Sequence, residues 1–171
     1  MTQQLRPLLA LLLFGGSWLA GCGGSDKEDN PAPTPAPNKL LTERTAFLTQ
    51  SVWIQTGSTS TETASGVTNH YNFFPLAPRC MTDNTTAFHK DNTYVLEEGQ
   101  TRCEPTDPQV LGTGTWALKA DGSELSFTNK QGSESRWKIV RFTASEHTLT
   151  RTVVINGHDI TRIDTIIYHT L

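Results

Sequence analysis

The 171-residue chain is poor in cysteine, with three, and poor in charge, with 14 Lys+Arg against 17 Asp+Glu for a net of −3. So small an imbalance excludes a dedicated nucleic-acid surface, which needs a concentrated basic face. Long apolar runs are lacking too. The run from Leu8 to Phe14 is too short for a transmembrane helix, which needs about 20 residues to cross ~30 Å of hydrocarbon. No Gly-X-Ser-X-Gly elbow, phosphate-cradling glycine loop or His-Glu-X-X-His occurs, which removes three common signatures of catalytic chemistry. The histidines (His70, His89, His147, His158, His169) are scattered, several beside expected turns, and are expected to be solvated. No catalytic residue, metal site or cofactor is expected, so the chain reads as a binding protein and not an enzyme.

Proline is absent from residue 109 to the end, which suits continuous strand pairing because every residue there can donate to a ladder. Turn signals punctuate that region: Asp121-Gly122, Gln131-Gly132-Ser133, Thr143-Ala144-Ser145 and Asn156-Gly157. Between them lie "GTWALK", "ELSFT", "RWKIVRF", "HTLTRTVVI" and "DITRIDTIIYHT". Upstream, "TTAFHK" and "TYVLEE" flank an Asp91-Asn92 turn, and "SVWIQT" makes a first strand. Eight strands joined mostly to their sequence neighbours remove their edges by closing into an all-β, up-and-down antiparallel barrel. The connection from residue 57 to 83 is either a lid, through Phe73-Phe74-Pro75-Leu76, or contains a further strand from Val67 to Phe73.

The first 21 residues have the order of a secretory signal: a basic residue, Arg6, a short apolar core, then Ala20 and Gly21 before Cys22. Leu19-Ala20-Gly21-Cys22 resembles the lipobox of bacterial lipoproteins. That resemblance implies lipidation of Cys22 and cleavage just before it, because several acyl chains on one residue give a lasting anchor where one gives only a marginal one. Residues 22 to 38 then form a tether. Pro31, Pro33, Pro35 and Pro37 alternate with small residues and favour extended polyproline II. The acidic cluster Asp26-Lys27-Glu28-Asp29 resembles a surface-export signal, or is a solvated linker. The implied location is the bacterial outer membrane, with a globular domain from 39 to 171. Export implies an oxidising compartment, so Cys80 and Cys103 are expected to form a disulfide. The alternative, a metal pair, lacks a histidine at short regular spacing.

The domain resembles the lipocalin-like domains of bacterial lipoproteins. The features that carry the resemblance are Cys80 with Asp83, Phe88, the Asp91 turn, Tyr94, Glu98-Gly99, Cys103, Asp107-Pro108, Gly114-Thr115-Trp116, Leu118 and Leu125. At the first strand the chain has Ser51-Val52-Trp53 where lipocalins carry Gly-X-Trp. The resemblance implies capture of a small apolar molecule inside the barrel, and a last-strand arginine, Arg162, packed over Trp53.

Register sharpens the ligand site. A three-residue loop at 143–145 places Ile139 opposite Leu149 and Trp137 opposite Arg151. An even-length loop at Asn156-Gly157 then puts Ile160, Arg162, Asp164 and Ile166 on the same, apolar face. Two arginines against one aspartate leave a positive excess, which suits an anionic head group, while the apolar lining takes a tail. The candidate ligand residues are Trp53, Trp137, Arg151, Arg162 and Asp164. The opposing expectation is that Trp53, Trp116, Trp137 and Phe127 fill the barrel. The protein would then be an interaction module for another envelope protein.

Overall fold

The structure, a computed structural model, describes residues 38–155 and 160–171. The expected signal segment, Cys22 and most of the tether lie outside the described residues.

The first element is a helix that the strand patterning did not anticipate. Helix α1 spans Lys39–Gln50, and the Asn38 side chain caps it by accepting from the Leu40 and Leu41 amides. Its buried contact is Leu48, which is fully inaccessible. Among the described residues nine strands follow: β1 Val52–Ala64, β2 Val67–Asn72, β3 Thr85–Phe88, β4 Thr93–Glu97, β5 Val110–Leu118, β6 Glu124–Asn129, β7 Glu134–Phe142, β8 Glu146–Ile155 and β9 Ile160–Thr170. A short 3-10 turn, Phe74–Leu76, and a one-turn helix α2, Arg79–Thr82, separate β2 from β3.

All strand pairs are antiparallel. β3 to β9 pair in sequence order, and β1 joins β3 on one edge and β9 on the other. The expected eight-strand barrel is therefore closed, and β2 is an addition to it. The addition arises inside the segment that carried two alternative expectations. Residues 57 to 64 continue β1, Ser65-Gly66 turns the chain, and β2 returns along β1. Ser65 and Gly66 both have positive φ, 48° and 80°, as a two-residue type I′ hairpin requires. Val67 to Asn72 are thus a strand, and only the stretch from Phe73 to Asn84 remains as a connection.

The anticipated turns at Asp91-Asn92 and Asp121-Gly122 are formed, and the one expected at Asn156-Gly157 lies outside the described residues. Asp91 Oδ1 accepts from the Thr93 amide and hydroxyl, and Asp121 does the same for Ser123. Cys80 in α2 is joined to Cys103 in the β4–β5 connection, with Cα atoms 5.1 Å apart.

The two ends of the barrel differ. At one end α1 covers the opening: the Trp53 indole N–H donates to the Leu48 carbonyl at 3.0 Å, and Arg44 donates to the Gly122 carbonyl. Around this plug Phe88, Trp116, Leu125, Trp137, Ile139 and Leu149 form a packed core with Trp53. Trp53, Trp116 and Trp137 therefore fill the barrel, and Phe127 packs against the same core. The other end, where β1, β8 and β9 rise above the shorter strands, stays open.

His147 departs from expectation. Its ring is fully buried, lying 4.3 Å from the Trp53 ring, 4.7 Å from Tyr168 and stacked on Phe142 at 5.4 Å. Neither ring nitrogen has a hydrogen-bond partner. Burial, with a smaller contribution from His169, pushes its pKa down to about 3.

Candidate functional site

The open end is lined by β1, β7, β8 and β9, and a backbone irregularity decides which residues of β1 face it. Gln55 pairs with Tyr168 but Gly57 pairs with Ile167, so Thr56 is an extra residue. Beyond it the inward positions are Ser58, Ser60 and Glu62, opposite Ile166, Asp164 and Arg162. On the far edge of β9, Arg151 lies opposite Asp164 and Leu149 opposite Ile166. Ile139 pairs with Leu149, and Trp137 lies further along β7.

Ser58, Ser60, Glu62, Trp137, Arg151 and the β9 residues opposite them line a cavity of about 490 Å³, with Ile139 and Leu149 in the packed core. Asp164 is its electrostatic centre. Arg151 Nε donates to Asp164 Oδ2 at 2.9 Å, and the Ser60 hydroxyl donates to Oδ1 at 3.1 Å. Arg162 Nε lies 3.1 Å from Oδ1, but its N–H is not directed at that oxygen and has no other partner. The pair is thus a charge contact and not a hydrogen bond. The Arg151 guanidinium also covers the Trp137 ring, 4.6 Å from its centroid. Such a cation–π contact adds roughly 0.5–2 kcal/mol, more as it is desolvated.

Four of the five candidate ligand residues therefore line one cavity: Trp137, Arg151, Arg162 and Asp164. Trp53 does not. It pairs with Thr170 while Arg162 pairs with Glu62, so the two lie near opposite ends of β1, and the expected packing of Arg162 on Trp53 is not formed. His147 and Phe142 cover that indole instead. The expected positive excess is also absent, because Glu62 joins the lining and two arginines face two carboxylates. Nor is the lining mainly apolar. Gln55, Ser58, Ser60 and Glu62 supply one polar wall, and Phe73, Ile166 and Tyr168 supply apolar contacts. Burial pushes the Tyr168 pKa up to about 12, so its phenol stays protonated.

Sequence reading missed Glu62, Ser60 and Tyr168. Glu62 and Ser60 sit in "GSTSTETA", which has no large apolar residue to betray a strand.

No protein-family model matches the sequence, and no curated protein matches it. Among solved structures, the chain is similar to a bovine odorant-binding protein in complex with a selenium-containing odorant. The TM-score is 0.37 at 13% identity, over 82% of this chain and 77% of that chain. At that score the two folds agree only loosely, and the barrel closure rests on the strand pairing given above.

Proposed function

We propose that the protein is a lipid-anchored, lipocalin-like carrier of the bacterial outer membrane, holding a small amphiphile in the open end of its barrel. The observation that carries this reading is the 490 Å³ cavity with the Arg151–Asp164–Arg162 group on its wall. Its volume falls within the range of small-molecule sites, about 300–1,000 Å³.

Asp164 is already engaged by Arg151 and Ser60, whereas the Arg162 side chain, about one-third exposed, lines the cavity without a hydrogen bond to that carboxylate. Arg162 therefore receives the ligand's anionic group, Glu62 favours a head group that also carries a donor, and Trp137, Phe73 and Ile166 contact the apolar part. Lipidation of Cys22 fits the geometry of the domain. The Asn38 side chain bonds the Ala120 carbonyl in the β5–β6 turn, so the described residues start at the plugged end of the barrel, away from the cavity.

The test is binding of 1-anilinonaphthalene-8-sulfonate, an anionic amphiphile, to the full chain in mild detergent, followed by quenching of the tryptophan emission. Arg162→Met should weaken binding at least tenfold, since a hydrogen bond to a charged group contributes about 1.5–3 kcal/mol. Equal affinity in wild type and Arg162→Met removes the assignment. Native mass spectrometry of chain extracted from its host, finding no bound small molecule, would favour the protein-interaction reading.

A further inference from the structure

β2 is an edge strand without the usual protection. Its hydrogen-bonded neighbour among the described residues is β1 alone, and all of its residues are exposed. Natural edges are commonly blunted by charge, proline or a bulge, yet Val67-Thr68-Asn69-His70-Tyr71-Asn72 contains no charged residue and no proline, and its register with β1 is unbroken.

The outward hydrogen-bonding groups can be assigned. The Phe73 N–H donates to the Ser58 carbonyl at 3.0 Å. Hydrogen-bonded and open pairs alternate along an antiparallel ladder, so Val67, Asn69 and Tyr71 are turned toward β1. Thr68, His70 and Asn72 then direct their N–H and C=O groups to the free edge. One antiparallel register satisfies all three against an identical strand: Thr68 opposite Asn72, and His70 opposite His70, about a two-fold axis.

The same register sets the side chains. Its intervening open pairs are Val67 with Phe73 and Asn69 with Tyr71, at the closer spacing of such pairs. Val67 is 61% exposed and Phe73 49%, and Phe73 stacks on Tyr71 at 5.8 Å. Each copy would therefore cover the other's exposed apolar residues with the contact that also saturates the backbone.

We propose that β2 joins β2 of a second copy of this chain, antiparallel about His70, to form a two-fold dimer with a sheet continuous across the axis. The joint is far smaller than the ~1,600 Å² of a standard interface, so the dimer is weak and concentration-dependent. Phe73 also lines the cavity, which brings Val67 of the second copy to its rim.

The full chain in its host membrane, carrying His70→Cys, should form a disulfide-linked species of twice the monomer mass on mild oxidation. Cα atoms of a hydrogen-bonded pair lie ~5.5 Å apart, within disulfide reach. Wild type and Thr63→Cys should not cross-link, which controls for the native cysteines and for random collision. Failure of His70→Cys to cross-link, or equal cross-linking of Thr63→Cys, overturns the proposal. His70→Pro removes the outward N–H, along with the exposed side-chain contact to Thr61, and should halve the protein mass that wild type shows by sedimentation in detergent. Wild type sedimenting as a monomer also overturns it, and a foreign peptide then found on the edge would make the occupant another protein.

Discussion

The guanidinium of Arg151 is held from two sides: it lies 4.6 Å from the Trp137 ring centroid while its Nε donates to Asp164 at 2.9 Å. Strands β7, β8 and β9 are thereby locked together at the level of the cavity. Asp164 also faces Ser60 of β1, so one carboxylate ties the seam that closes the barrel.

Asp164→Ala should accordingly lower stability. The Asp164 side chain is largely buried but Arg151 and Arg162 are about one-third exposed, so solvent reduces the penalty on the freed cations, and a loss of about 1–2 kcal/mol is expected. Urea denaturation followed by tryptophan emission measures it. An unchanged midpoint would mean that the cluster contributes nothing to closure.

Acid should weaken the fold through His147. Its native pKa is about 3 against an ordinary 6.5, so between those values the unfolded chain binds the extra proton. Stability is retained above about pH 6.5 and lost as pH falls below it. At pH 4 the loss is about 3 kcal/mol, from ~1.4 kcal/mol per unit. His147→Phe should remove this part of the acid sensitivity, which a comparison of denaturation midpoints at pH 7 and pH 4 reads directly.

Reduction of the disulfide should cost stability without dissolving the barrel. Cys80 and Cys103 are separated by 23 positions, and closing a loop of that size contributes about 3 kcal/mol on the chain-entropy model. Cys103 is exposed, so dithiothreitol should reach it. Melting with and without reductant should show a lower midpoint with far-ultraviolet dichroism intact at 25 °C.

Gly114 should not tolerate a side chain. A Cβ there would overlap the Thr128 carbonyl and the Tyr94 ring. Gly114→Ala should cost about 1–3 kcal/mol, the range for overpacking, whereas Gly132→Asn, with open space around it but φ 82°, should cost less, carrying only the backbone strain that Asn tolerates better than most side chains. Thermal melts of both variants decide it.

The β7 to β9 portion of the barrel was legible in the sequence. There alternation is strong, and Ile139 does pair with Leu149 as expected; the loop is longer than the three residues expected at 143–145, since Phe142 pairs with His147, and an extra residue at Val140 restores the register. Helix α1 was not read, although Leu40, Leu41, Arg44 and Leu48 have helical spacing behind the Asn38 cap, because the segment directly follows a proline-rich tether. The far half of β1 was missed because its residues are small and polar. It is a strand because β9 and β2 pair with it on both edges, and that cause lies in distant residues. His147 was read as solvated for a similar reason: its burial comes from Phe142 and Tyr168 standing opposite it on two different strands.

The surplus residue at Thr56 has an effect out of proportion to its size. Strict alternation from Trp53 would present Gly57, Thr59, Thr61 and Thr63 to the vestibule, an uncharged hydroxyl wall facing two guanidinium groups and a single acid. The kink reverses that parity and delivers Glu62 instead, opposite Arg162. The sign of the field that greets an entering cargo is thus set by a main-chain irregularity, and cannot be tallied from the composition of the strands.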